Sequence, residues 1–298
     1  MTQPIGIVGL GIMGGAFASN LLRAGHAVVG HDIAADARAR FEAGGGRALA
    51  SATEVVRAAA VTFVSLPTVK AFESVYAEVA RAGAAGHVLV DTCTMPLEAK
   101  QAAAAALDGS GSILLDCPVS GTGAQAAKKD LVVFGSGDAQ AFERARPALE
   151  GMSRKQVYLG AFGRGSVMKF LANHLVNIHN VAAAEALTLA GKAGMDLGLV
   201  YDTLQDSAGT SRMFQIRGPL MVADRYDEPT ARVDLFMKDL AIIGAFADSL
   251  HCPVPLFSAS TALYHAAMSQ GRAADDTAVV CRVLEGLAGV RRAPAPSR

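Results

Sequence analysis

The chain has 298 residues, 51% hydrophobic and 18% charged, which is enough apolar material for one large or two ordinary packed domains and excludes a disordered chain. Lys plus Arg (27) balance Asp plus Glu (27), so no electrostatic footprint points to nucleic acid or an anionic membrane. The four cysteines, Cys93, Cys117, Cys252 and Cys281, form no C-x-x-C pair and no zinc-finger spacing; this speaks against a disulfide framework or a metal site and fits a reducing cytoplasm.

The first half alternates short β-rich runs with helical segments. Strands are expected at Ile5–Val8, Ala27–His31, Val61–Leu66, His87–Asp91 and Ile113–Asp116, with Leu131–Gly135 and Val157–Leu159 completing the set. Helices are expected near Met13–Ala24, Ala34–Ala43, Val69–Arg81 and Pro96–Leu107. Continuous apolar strands alternating with helices predict an α/β fold with a doubly wound parallel sheet. From Ser166 onward the periodicity is helical, so the expected division is a dinucleotide-binding domain over 1–165 and a helical substrate or oligomerisation domain over 166–298, with a frayed tail from about Arg291. The N-terminus has no basic region before its glycine motif, so no signal peptide is expected. The longest apolar helix candidate, Val167–Gly194, is interrupted by Lys169, three Asn, His174 and Glu185, a costly membrane span; a soluble protein is expected.

Gly9, Leu10, Gly11, Ile12, Met13 and Gly14 form G-x-G-x-x-G between a strand and a helix. Gly9 would make the tight turn, Gly11 would let a pyrophosphate approach, and Gly14 would allow close helix–strand packing. Asp32 ends the next strand, 21 residues beyond Gly11. It can accept from both ribose hydroxyls and repels a 2′-phosphate, which favours NAD; Arg38 and Arg40 keep NADP open. Three further segments sit at the ends of expected strands, where open α/β sheets place ligands: Ser65-Leu66-Pro67-Thr68, Asp91 to Pro96 around Thr94, and Asp116 to Gly123 around Ser120-Gly121-Thr122. The last offers a hydroxyl and backbone N–H groups to an anion such as a carboxylate, or is an ordinary turn. On the long helix, Lys169, Asn173 and Asn180 fall within about 40° of one another, with Asn177 at the edge. Such a stripe needs partners, and a lysine in a dry cleft can serve as general acid and base.

These residues together resemble the β-hydroxyacid dehydrogenases. The resemblance rests on the glycine motif, on Asp116-x-Pro118-Val119-Ser120-Gly121, on Gly165-Ser166-x-x-Lys169-x-x-x-Asn173, and on Lys238-Asp239-Leu240. It implies a Rossmann-like domain followed by an all-helical one. It implies Lys169 as catalytic acid/base and Asn173 as the residue that helps hold the substrate and orients the lysine. Ser120, Gly121 and Thr122 would bind the substrate carboxylate, Thr94 would lie beside the nicotinamide, and Lys238 would reach the cofactor. Ser207–Phe214 and Asp275-Asp276-Thr277 look most like the threonate dehydrogenase-type branch. Three residues depart from the family pattern: Thr122 and Lys129 stand where glycine is usual, and Arg212 where that branch has an aromatic residue. All three are expected near the substrate end, where Arg212 would pair with a second carboxylate or polar group, or else make a surface ion pair. The implied activity is NAD-dependent hydride transfer to and from a small hydroxy acid, in a homodimer or homotetramer. A reductase of a semialdehyde or 2-oxo acid uses the same residues, and a non-catalytic NAD sensor would have no use for Lys169.

Overall fold

The computed structural model describes residues 3–292; the expected frayed tail lies outside the described residues from 293 on. The chain divides into two compact units, Met1–Phe170 and Leu171–Arg298.

The first unit opens with β1 (Ile5–Val8), α1 (Ile12–Arg23), β2 (Val28–His31), α2 (Ala35–Ala43), β3 (Arg47–Ala48), α3 (Ala52–Ala58), β4 (Val61–Val64), α4 (Val69–Ala82), β5 (Val88–Asp91), α5 (Leu97–Asp108) and β6 (Ile113–Asp116). The six strands are parallel, in the order β3-β2-β1-β4-β5-β6. Side chains alternate across the sheet: Ile7, Phe63 and Val90 enter one core with Phe17 of α1, while Val8, Val64 and Leu89 enter the other with Phe72 and Tyr76 of α4. Both faces are covered, which is why the strands read as unbroken apolar runs. The register pairs Val8 with His31 and Val64, Val64 with Asp91, and Asp91 with Asp116. Five strands therefore end level, and the segments that follow them emerge in one row.

After β6 the chain departs from expectation. β7 (Val119–Ser120), α6 (Gly123–Ala127), β8 (Val132–Gly135), α7 (Ala139–Met152) and β9 (Lys155–Tyr158) follow. Their strands form a separate three-stranded sheet, β7 antiparallel to β8 and β8 parallel to β9, rather than extending the large one. Pro118 has no N–H to prolong a ladder, and β8 returns so that Ser136 bridges Asp116 in antiparallel fashion. Lys129, expected near the substrate end, ends a helix. Its φ is 61°, its N–H donates to Ala126 O at 3.0 Å, and the Asp130 N–H donates to Gln125 O at 2.8 Å. That pairing is a Schellman ending for α6, and its left-handed position is the one glycine fills without strain.

Helix α8 (Arg164–Lys192) begins in the first unit and continues into the second, which adds α9 (Leu197–Leu204), α10 (Arg212–Ala223), α11 (Val233–Ser249), α12 (Pro255–Ser269), a 3₁₀ turn at Thr277–Val279 and α13 (Val280–Ala288). Buried Asp276 locks the α10–α11 connection: it accepts from Arg217 Nη1 at 2.9 Å and from the Thr230 N–H at 2.8 Å. No described helix is long and apolar enough to cross a membrane.

Lys129→Gly should stabilise the protein by about 1 kcal/mol, because glycine adopts the left-handed position without the Cβ penalty. Urea unfolding measures this, and a destabilised variant would contradict the assignment.

Candidate active site

The glycine loop is built as its spacing requires. Gly9 has φ 90°, and a Cβ there would lie 2.1 Å from Ser65 O; a Cβ on Gly14 would lie 1.8 Å from Gly9 O. Both positions are dictated by the fold. Gly11 is different, since a Cβ on it would meet nothing within 4 Å. Open space over Gly11, and an α1 that begins there with no side-chain cap, fit a pyrophosphate that takes both the room and the free helix N–H groups. Leu10 is buried, Met13 and Leu66 are half-buried, and Ile12 and Pro67 are exposed at the rim. Asp32 accepts from the Leu10 N–H at 2.7 Å and from the Ala34 N–H at 2.8 Å, one bond on each oxygen. The carboxylate thus fixes the loop and keeps lone pairs for ribose hydroxyls. Arg38 donates to the carbonyls of Asp32 (2.6 Å) and Ile33 (3.1 Å), and Arg40 pairs with Asp36.

Further along the row of strand ends stand Thr94, half-buried after β5, and the Ser120 turn after β6. Gly121 has φ 137°, and a Cβ would press to 2.4 Å from Leu131 Cδ2, so only glycine fits this turn. Thr122 caps α6: its hydroxyl accepts from the Gln125 N–H, and Gln125 Oε1 accepts from the Thr122 N–H at 3.0 Å. A capping hydroxyl that accepts can still donate its hydrogen, so the threonine serves the helix and offers one donor to an anion.

Helix α8 carries Lys169, half-buried, and one turn later Asn173, which is buried. Asn173 Nδ2 donates to Asp239 Oδ2 at 2.9 Å, while Asp239 Oδ1 lies 3.0 Å from Lys238 Nζ. The Lys238-Asp239 dipeptide is therefore an orienting device for Asn173 as well as a cation. The rest of the asparagine stripe is structural. Asn177 donates to Phe257 O and to Thr261 Oγ1, both at 3.2 Å, and Asn180 donates to Tyr264 Oη at 3.1 Å, so both are tied to α12. Arg212 opens α10 and is exposed, with Gln215 Oε1 3.5 Å from its Nη1.

A residue outside the sequence motifs, Lys100, completes the arrangement. Lys100, fully buried on α5, reaches Asp116 Oδ1 at 2.7 Å and Asp91 Oδ2 at 2.9 Å. Asp116 in turn accepts from Ser166 Oγ and from the Ser166 N–H, each at 2.7 Å. The one sequence signal for Lys100 was its place on the apolar face of α5, with Ala103 and Leu107. Burial pushes the Cys93 and Cys117 thiols up, so neither is a ready nucleophile. Among the described residues no cluster of three or more His, Cys, Asp or Glu could hold a metal ion.

The family profile described as the NAD binding domain of 6-phosphogluconate dehydrogenase matches residues 4–160. A second, described as NAD-binding of NADP-dependent 3-hydroxyisobutyrate dehydrogenase, matches residues 163–284. An L-threonate dehydrogenase of Cupriavidus necator is 33% identical over 291 residues, covering 96% of this chain and 98% of its own. An NAD-dependent L-serine dehydrogenase of Pseudomonas aeruginosa is 30% identical over 300 residues, covering 96% and 99%. Among solved structures, a 3-hydroxyisobutyrate dehydrogenase of Salmonella typhimurium superimposes with a TM-score of 0.84 at 33% identity, over 94% of this chain and 99% of that one.

Replacing Asp32 by Ala should weaken NAD⁺ binding by about tenfold or more, the loss expected for hydrogen bonds to a charged group, and should shift preference toward NADP⁺. Titration of both cofactors measures it; an unchanged NAD⁺/NADP⁺ ratio would remove Asp32 from cofactor selection.

Proposed function

The chain belongs to the β-hydroxyacid dehydrogenase family, and from that premise we propose that it is an NAD-dependent dehydrogenase of a small hydroxy acid, with Lys169 as general acid and base. The observation that carries this reading is the pairing, in the first unit, of an open dinucleotide loop with a lysine set one turn into a helix anchored on Asp116. L-threonate, L-serine and 3-hydroxyisobutyrate, the compounds named for its relatives, share a carboxylate and a nearby hydroxyl. That is the chemistry the Ser120 turn and Lys169 are suited to take.

When bound, NAD⁺ supplies the acceptor for the hydride. The residues of this chain do the rest. The Ser120 hydroxyl, the Gly121 backbone and the Thr122 hydroxyl hold the carboxylate, and so fix which carbon faces the nicotinamide beside Thr94. Neutral Lys169 takes the hydroxyl proton as the hydride leaves; in reverse its ammonium returns that proton to the forming alkoxide. Asn173, its amide nitrogen held by Asp239, presents Oδ1 as an acceptor that orients the amine or a substrate hydroxyl. Lys238 is assigned to the cofactor and Arg212 to a polar group at the far end of the substrate.

We assign dinucleotide binding to residues 1–165 and substrate selection and self-association to 166–298. Leu171, Leu175 and Leu189 of α8 and Leu199 of α9 stand exposed, an apolar surface suited to a homodimer or homotetramer. A cytoplasmic location agrees with a dependence on NAD and with four free cysteines.

The test is initial-rate NAD⁺ reduction with L-threonate, L-serine, 3-hydroxyisobutyrate, glycerate and a hydroxy diacid. One or more should be oxidised, faster at basic pH because the base must be uncharged. Lys169→Ala should lower kcat by at least about 100-fold, the range of a general base. A kcat within a few-fold of wild type would overturn the role of Lys169.

A further inference from the structure

Beneath the strand ends lies a charged cluster that the proposed chemistry does not use. Lys100 has no exposed surface, and its Nζ meets three oxygens: Cys93 O at 2.7 Å, Asp116 Oδ1 at 2.7 Å and Asp91 Oδ2 at 2.9 Å. Nζ donates to Cys93 O and Asp116 Oδ1 and forms an ion pair with Asp91. Asp91 Oδ1 also accepts from the Cys93 N–H at 3.0 Å. Asp116 Oδ1 accepts from Ser166 Oγ and its Oδ2 from the Ser166 N–H, while Ser136 Oγ reaches Oδ2 at 3.1 Å and accepts from the Gly165 N–H at 2.9 Å. The carboxylate of β6 and the hydroxyl of Ser136 thus cap the first turn of α8 from outside the helix. No side chain could be added there, because a Cβ on Gly165 would lie 2.3 Å from Phe134 O and 2.6 Å from Asp116 O.

A buried ion cluster is a poor source of stability, since desolvation cancels most of the attraction, and well-packed apolar side chains would serve the core as well. Here two carboxylates face one ammonium, and burial lifts Asp91 above the usual carboxylate range despite Lys100. What the cluster supplies is fixed geometry at three points of the chain. Asp91 stands three residues before Thr94, Asp116 four before Ser120, and Ser166 three before Lys169. Misplacing a reacting group by about 1 Å costs about 100-fold in rate, so a device that sets all three at once bears on the reaction directly.

We infer that Lys100 is a positioning residue for hydride transfer: through Asp91, and through Asp116 with Ser166, it fixes the segments that carry Thr94, Ser120 and Lys169. The inference rests on the reading of Lys169 as the acid and base.

Ser166→Ala is the informative variant, because it removes one hydroxyl contact and leaves both buried carboxylates paired. Lys100→Arg is the second; it keeps the charge and changes the donor geometry. Each should lower kcat by about tenfold with NAD⁺ affinity within about twofold of wild type, and should raise the primary deuterium isotope effect on kcat as the hydride step slows. In Ser166→Ala, hydrogen exchange should quicken in residues 164–172 and stay unchanged over β1–β5. Unchanged kcat and exchange would overturn the inference, as would losses of NAD⁺ affinity and thermal stability that match the loss of kcat. If wild type oxidised no acid of the panel, the functional reading would fall; the exchange measurement would still judge the anchoring, and unchanged exchange would overturn that too.

Discussion

One ammonium held between two carboxylates joins the ends of two neighbouring strands, and through Asp116 it reaches the start of the long helix. The parallel register makes this possible. Asp91 and Asp116 are Cα partners at the level where β5 and β6 end, so both carboxylates come within reach of a single lysine on the helix between those strands. Without a partner, either carboxylate would be a buried charge that costs several kcal/mol; with Lys100 and Ser166 in place, the same groups become fixed points. The glycine loop, Asp32 and the Ser120 turn all sit along the same row of strand ends, which is where an open α/β sheet leaves its carboxyl-terminal crevice.

The division of labour follows from what each residue type can do. Backbone conformation is entrusted to glycine where a Cβ would collide, at Gly9, Gly14, Gly121 and Gly165, and Gly11 is the one of the loop's glycines that faces open space. Charges that hold the architecture are buried and paired, as with Lys100 and with Arg217 on Asp276. The group assigned to proton transfer, Lys169, is only half-buried and stands one turn from an asparagine whose amide is itself held by a carboxylate. That separation leaves the positional constraint to the rigid, buried parts.

Much of this was legible in the sequence, for physical reasons. The strands of the large sheet are buried on both faces and so read as apolar runs, and at Gly9 and Gly14 the glycine motif is a backbone constraint that leaves no alternative residue. The small sheet was not legible: β7 has two residues, and whether β8 joins the large sheet or turns back depends on Pro118 and on the Asp116–Ser136 bridge rather than on local propensity. The asparagine stripe announced a need for partners, but the partners of Asn177 and Asn180 lie 80 or more residues away on α12 and beyond. Beyond its place on the apolar face of α5, Lys100 carries no mark in the sequence, because nothing local reveals that its acceptors stand on two strands. Lys129 is the left-handed residue that ends α6, a backbone role that its side chain does not advertise.

In the proposed mechanism an amine at position 169 moves the proton. Its most direct test is chemical rescue of Lys169→Ala by small primary amines, with the hydroxy acid that wild type oxidises fastest. NAD⁺ reduction should rise with the concentration of free-base amine and follow its basicity. A variant that binds NAD⁺ normally yet shows no rescue by any amine small enough to fill the vacated space would contradict it.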